Sequence, residues 1–411
     1  MADSSSTQLF YRPENNWGET PSARSPQLPL REFRFTNESL NYSAQTTISE
    51  EIRSDRQVSD IIRTGVETGG DVGIEFSFGA HDDLFEGALY NDWSAEQDSQ
   101  AAASPAPLTF TIQGSPAGSQ IGVGSPTNGG AAFLDGLTVG AFIEITGSTL
   151  SPENNGYYRV VSHPSAGIVE VTPALPSVGV DTIRIRESHL RNGTTLKSFL
   201  LEKAFTDVSE YIHFTGMRVG SMQLNIAPGS ILNGQFSFQG ENAVAQGTSI
   251  IAGLTSPESV AVAANDVFNA VDNIGDVLID GAVDPDVCFT ELSFTVENNL
   301  RFQPCIGQLE SSGIGVGRTQ VSGTVAAYFV NRNFYERYLN FTTTSLSFTV
   351  SLGGNTYLID FPSFKFTNGE VVAAGNDQDV LVNMEFTAKR DPTYGFTMGM
   401  NRYGDIPAVV A

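Results

Sequence analysis

The 411-residue chain is 40% hydrophobic and 10% aromatic, with 27 phenylalanines, enough to build real cores in two or three domains. Its formal net charge is −24, and no cluster of lysine and arginine forms a basic patch, which argues against a protein that grips nucleic acid through its phosphates. Cys288 and Cys305 are too few for a disulfide-stapled secreted domain and read as ordinary thiols of a reducing compartment. The start "MADSSSTQLFYRPENNW" lacks a basic then apolar leader, and no run of 18 apolar residues exists, so neither a signal peptide nor membrane insertion is expected.

Residues 1–30 are polar and carry Pro13, Pro21, Pro26 and Pro29, the composition of an extended N-terminal arm. Alternation then begins. In "REFRFTNES", Phe33 and Phe35 share one face while Glu32, Arg34 and Thr36 share the other. In "DVGIEFSF", Val72, Ile74, Phe76 and Phe78 alternate with Gly73, Glu75 and Ser77, the pattern of a half-buried antiparallel strand. Between them lies "SEEIRSDRQVSDIIRTG", Ser49 to Gly65, the most charged stretch of the chain, with Glu50, Glu51, Arg53, Asp55, Arg56, Asp60 and Arg63. One reading is a solvated helix, in which Ser54 and Gln57 make a capping box and Ile52, Val58, Ile61 and Ile62 a face. The other is a contact loop. "AHDDLFEGALYNDW" has helical spacing at Leu84, Phe85, Ala88 and Leu89 with acids at its start, which predicts a short helix over Asp82–Tyr90.

Residues 96–190 change character: a linker-like "SAEQDSQAAASPAPL" precedes short apolar runs split by Gly, Asn and Pro, as in a small all-β domain. Strands are expected again at "TTLKSFLLE", "MRVGSMQLNIA" and "GQFSFQG". Residues 251–284 read as a linker, residues 285–395 as strand, loop, strand, helix, strand, strand, and residues 396–411 as a C-terminal tail.

The second half echoes the first element by element. "REFRFTNESL" has a counterpart in "TELSFTVENNL", "GGDVGIEFSF" in "VSGTVAAYFV", "DLFEGAL" in "NFYERYL", "TTLKSF" in "TTSLSF" and "GQFSFQG" in "LVNMEFTAK". Only "NFT" separates Leu339 from Thr343, whereas roughly 100 residues separate Leu89 from Thr194. The surplus is therefore an insertion in a surface loop of the first unit, which would comprise residues 31–95 and 191–250.

Chemistry is not visible. His81, His163, His189 and His213 are scattered without metal-ligand spacing. "GIGVG", Gly313 to Gly317, lacks the Lys-Ser/Thr of a phosphate loop and reads as a flexible loop. "GNDQD", Gly375 to Asp379, and "DGAVDPD", Asp280 to Asp286, do not have the spacing of a calcium hand and read as polar turns. No carboxylate pair stands out for glycosidase work among 46 acids. No catalytic, metal or cofactor residues are expected, and a structural or binding role is favoured over an enzyme.

The chain resembles the tail tube proteins of long-tailed bacteriophages. The residues that carry the resemblance are "EIRSDRQVSDIIRTGVETGGDVGIEFSFGAHDDLFEGAL" (Glu51 to Leu89), "RNGTTLKSFLLEKAFTDVSEYIHFTGMRVGSMQLNIAPGSI" (Arg191 to Ile231) and "TTSLSFTVSLGG...TYLIDFPSFKFTNG" (Thr343 to Gly369). The resemblance implies a mainly β fold: two tandem tail-tube β-sandwich domains, each with a short flanking helix, assembling into a β-barrel ring, plus the small all-β inserted domain. Family rings usually contain six such units, so three duplicated chains would make a pseudo-sixfold ring. Stacked rings would form a hollow tube conducting DNA, in a virion tail assembled in the bacterial cytoplasm. The implied partners are further copies, the tape measure, tip and terminator proteins, and DNA that passes without specific binding. A wall that lets DNA slide should be acidic or neutral; Glu75, Ser77, Gln235, Ser237, Asn383 and Glu385 are the candidates to face it. The charged stretch would contact the neighbouring ring, with Glu50, Glu51, Arg53, Asp55, Arg56, Asp60 and Arg63 as contact residues. The alternative is a tail-tip or adhesin protein holding a host glycan or receptor through its inserted domain; a polysaccharide-degrading enzyme is a third.

Overall fold

The computed structural model describes residues 3–18, 30–100, 108–115, 118–123, 130–250, 259–260, 264–373 and 375–404. Pro21, Pro26 and Pro29 of the expected arm, parts of the expected linker and the last residues of the expected tail lie outside them. The described chain is mainly β, with three short α-helices.

The alternating runs become one long antiparallel sheet. Its strands follow the order Ile61–Glu75, Asn233–Gly240, Glu210–Ile226, Phe289–Glu297, Gln320–Tyr328, Leu381–Ala388 and Asn355–Val372. The two longest strands, Glu210–Ile226 and Asn355–Val372, each carry an irregularity, between Val219 and Ser221 and between Phe366 and Asn368. An extra residue of this kind bends a strand, and at the bend each strand changes partners. The first half of Glu210–Ile226 pairs with Phe199–Phe205 and Asn242–Gln246; the first half of Asn355–Val372 pairs with Thr344–Leu352 and Gly399–Tyr403. Inward residues of both sets, among them Val72, Phe236 and Phe294 from one and Phe199, Phe214 and Phe348 from the other, meet in a single apolar core.

Helix Asp82–Leu89 forms as its spacing predicts. Asp82 and Asp83 sit in its first turn, where the helix dipole favours acids, and Tyr90 ends it in the left-handed conformation. Leu84, Phe85, Ala88 and Leu89 are all buried. Helix Asn333–Leu339 occupies the matching place in the second half but buries only Phe334.

Residues of the expected inserted domain form a separate eight-stranded sheet with its own core of Phe110, Ile121, Ile143, Val160, Val171 and Ile185. The run Gly179–Glu187 pairs with Thr109–Ser115 at one end and Phe142–Thr146 at the other, so this sheet curls back on itself. The module does not hang on a bare loop. Arg159 donates two hydrogen bonds to Asp360 of the main sheet, at 2.9 and 2.5 Å, with both residues buried. The Tyr157 hydroxyl donates to Thr356 at 3.0 Å, and Asn401 donates to the Phe142 carbonyl at 3.2 Å.

Three expectations need correction. The expected C-terminal tail contains a buried strand, Gly399–Tyr403, held between His189–Arg191 and Asn355–Val372. Its Arg402 pairs with Asp82 at the helix start, and Tyr357 donates to the same carboxylate, a pairing across the whole sequence that no local pattern could reveal. "GIGVG" is only partly a loop: Gly313–Gly315 belongs to the strand Ser311–Gly315, which pairs with Arg301–Pro304, while Val316 and Gly317 lie beyond it. The expected linker is not a bare connector either. Val267 bridges Ser77, Asn269 bridges Ile231, and Leu278–Ile279 pairs with Thr344–Leu352.

Removing one member of a buried ion pair strands the other charge. Arg159→Met should therefore destabilise the chain by about 3–5 kcal/mol, whereas Arg159→Met with Asp360→Leu should recover most of that loss; equal melting temperatures for the single variant and the wild type would contradict the coupling. His81 is fully buried and its Nε2 donates to the Arg34 carbonyl at 3.1 Å. Burial resists its charged form and lowers its pKa to about 4. The unfolded chain takes up this proton near pH 6.5, so the stability held above that value should fall as pH drops toward 4, by about 3 kcal/mol. Urea unfolding at pH 7 and pH 4.5 should show a smaller pH effect in His81→Gln than in the wild type; identical pH effects would contradict it.

Candidate assembly surfaces

The charged stretch forms the tip of a projecting hairpin. Asn41–Ile48 pairs with the first part of Ile61–Glu75, from Asn41 opposite Gly69 out to Ile48 opposite Ile61. Glu50, Glu51, Arg53, Asp55, Arg56 and Asp60 lie in the connecting loop and Arg63 in the returning strand. The helix reading is corrected: Ser54 and Gln57 cap nothing, because Arg56 takes a φ of +59° and Asp55 draws the turn together instead. Asp55 accepts from Arg53 at 2.8 and 3.1 Å and from the Gln57 amide at 3.3 Å. This ion pair is solvent-exposed and contributes little by itself.

The hairpin also exposes apolar side chains. Ile52 is 100% exposed, and Ile48, Val58, Ile61 and Ile62 are each more than half exposed. An isolated two-stranded hairpin is marginal in water, and a cluster of exposed aliphatic residues marks a contact surface. Its base is buttressed by the second, shorter hairpin, Arg301–Pro304 with Ser311–Gly315, through a bond from the Val66 amide to the Leu309 carbonyl at 3.1 Å.

The second surface is the outer face of the central sheet. Phe236, Phe238, Met384 and Phe386 point into the core, so Gln235, Ser237, Asn383 and Glu385 point away from it. The register sets Gln235 opposite Gly73 and Asn383 opposite Ala326, and Glu75 lies on the same side as Gly73. Gln223, Asn225, Ser293, Thr295, Ser322 and Thr324 continue this face across the intervening strands. None of these residues is cationic. Ser77 does not belong to the face. It is fully buried under the segment around Val267 and accepts from Arg34 Nη1 at 3.1 Å, because the strand is covered beyond Glu75.

The third feature is the arrangement of sheet edges. Ser221–Ile226 pairs with Leu292–Glu297, which joins the two halves of the chain into one sheet. Asn368–Val372 pairs with Leu381–Glu385 on one side and with no strand among the described residues on the other. At the opposite extreme, among the described residues, Asn37–Glu38 and Asn41–Ile48 pair only inward, with Ile61–Glu75. Sequence reasoning missed these free edges, because alternation shows that a strand is half-buried but not whether both its sides are paired.

The histidines are held structurally. His163 Nε2 lies 2.8 Å from the Leu137 carbonyl, His189 pairs with Glu187, and His213 lies 3.0 Å from the buried Glu202. Among the described residues, no group of three or more His, Cys, Asp or Glu could hold a metal. Cys288 and Cys305 are exposed free thiols, and no described helix is long and apolar enough to cross a membrane.

No curated protein matches the chain. The family model of the phage tail tube protein matches residues 4–388, spanning both halves of the main sheet and the inserted module. The chain belongs to the phage tail tube protein family.

Proposed function

We propose that the chain is a duplicated tube subunit, that three copies close a pseudo-sixfold ring, and that rings stack into a hollow tube conducting the DNA genome. The observation that carries the reading is the sheet junction inside the chain. Each half runs through the same order: hairpin, barrel strand, helix, strand, long bulged strand, strand. Ile61–Glu75 pairs with Asn233–Gly240 as Gln320–Tyr328 pairs with Leu381–Ala388, and the two bulges fall at matching places. The halves meet through Ser221–Ile226 and Leu292–Glu297, while the counterpart of Ser221–Ile226, Asn368–Val372, has no such neighbour among the described residues. A free edge of this kind is a template for another chain. Repeating the internal junction at the free edge sets Glu370 of one chain opposite Asn41 of the next, and three chains close the ring.

In such a ring the core-averted face of the central sheet faces the lumen. This face carries Glu75, Glu385 and Glu291, which lies opposite Ala326, while Lys365 joins it opposite Thr387 at the bulged end; a face that is mainly neutral and acidic lets phosphates slide rather than bind by counterion release. The projecting hairpin reaches the next ring, and mixed charges there set register more than affinity. The tape measure, tip and terminator proteins complete the tail in this reading, and the protein is a virion component assembled in the bacterial cytoplasm, without enzymatic activity.

In a Cys288→Ser, Cys305→Ser background, Asn41→Cys with Glu370→Cys should cross-link into covalent trimers once rings have formed. Rings seen by electron microscopy without any cross-linked product would contradict the seam. Reversal of Arg53, Arg56 and Arg63 to Glu should leave rings intact and block their stacking; tubes of normal length from that variant would contradict the role of the hairpin.

A further inference from the structure

The two halves of the chain differ at both ends of the central sheet, and the differences are complementary. Strand Ile61–Glu75 starts in the long hairpin and ends beside Asn233 and, through the sheet, near Phe289 and Tyr328. At about 3.3 Å per residue, this 15-residue strand separates the two ends by roughly 50 Å. The long hairpin of the first half and the short hairpin of the second both leave from one end.

At the opposite end the first half is capped. The Phe76 amide donates to the Leu232 carbonyl, and the segment around Phe268 inserts beside this pair. Phe268 donates to the Phe76 carbonyl and accepts from the Leu232 amide, both at 2.9 Å, and its ring is fully buried against Phe76. The second half repeats the receptor without the cap. The Phe329 amide donates to the Val380 carbonyl at 2.9 Å, but among the described residues no backbone group bonds the Phe329 carbonyl or the Val380 amide. Around them Tyr328, Phe329, Val330, Val371 and Val380 are all exposed, Val330 by 63%.

Each chain therefore carries one long apolar hairpin and, among the described residues, one unfilled strand socket, at opposite ends of the sheet. We propose that the hairpin tip of a chain in one ring, with Ile52, Val58 and Ile62, fills the Phe329–Val380 socket of a second copy in the adjoining ring. The proposal rests on the tube reading and names the partner of its stacking element. The filled socket of the first half shows what fits: an extended segment that supplies one donor, one acceptor and a large apolar side chain. The hairpin carries four acids, Glu50, Glu51, Asp55 and Asp60, beside Arg53, Arg56 and Arg63, and Asp377 and Asp379 are exposed beside Val380, so the apolar side chains and the open backbone groups rather than net charge define the fit. A one-to-one, head-to-tail contact of this kind does not close on itself and so propagates. It also places the first half of one chain over the second half of another, so successive rings turn by one half-chain.

Val330→Asp with Val380→Asp removes the socket, and Ile52→Asp with Ile62→Asp removes the hairpin tip; all four sites are exposed, and ring formation reports folding. Each variant alone should give single rings, with the stacked fraction at least tenfold below wild type in electron micrographs. Mixed together, they should give two-ring stacks and nothing longer, since one ring retains hairpins and the other retains sockets. Normal tubes from the socket variant, as would occur if a different tail protein occupies this site, would overturn the proposal and leave the tube reading intact. Single rings in the mixture would also overturn it. Absence of stacked rings in the wild type would sink the tube reading and the proposal with it.

Discussion

The structure depends on the obligation of a β-strand to satisfy backbone hydrogen bonds on both of its sides. Inside the chain that obligation is met where Ser221–Ile226 lies against Leu292–Glu297, which welds the halves into one sheet. It is unmet along Asn368–Val372 and at the Phe329 carbonyl and Val380 amide among the described residues. The same fold thus displays both a completed and an incomplete version of one junction. In the proposed ring, the completed junction inside the chain is the template for the neighbour that the free edge would take.

The segment between the halves has a structural part in this scheme. It covers Ser77 through Val267, buries Phe268 against Phe76, then runs along Thr344–Leu352. The N-terminal arm does the matching work for the first half, where Thr7–Pro13 lies along Phe199–Phe205. The inserted module is tied to the body by the Arg159–Asp360 pair rather than by its connecting strands alone. Asp82, shared by Arg402 and Tyr357, fixes the last described strand to the first helix.

Much of the fold could be read from the residues themselves. Alternation at Val72, Ile74 and Phe76 and at Phe236 and Phe238 marks real core faces, and the spacing of Leu84, Phe85, Ala88 and Leu89 marks a real helix. The correspondence between "GQFSFQG" and "LVNMEFTAK" matches the hydrogen-bond register, since Phe238 and Phe386 occupy like positions beside the two bulges. The pairing of "TTLKSF" with "TTSLSF" does not. The register matches Phe199 with Thr344, a slip of four residues, because similar composition at a strand entrance says nothing about which residue faces which partner. "GIGVG" reads as a loop by its glycines, yet its first three residues lie in a strand because Arg301–Pro304 is there to pair with them. The charged stretch has helix-like spacing at Ile52, Val58, Ile61 and Ile62, yet those residues end in solvent on a hairpin. Periodicity records that apolar residues need cover; it does not record whether the cover comes from the same chain.

The central claim is that one chain supplies two units of a six-unit wall. Averaged electron micrographs of tubes in cross-section test it most directly. The expected image is a continuous β wall of six near-equal segments with threefold symmetry, carrying three outer knobs from the inserted modules. Six knobs per ring, one for each of six chains, would contradict it.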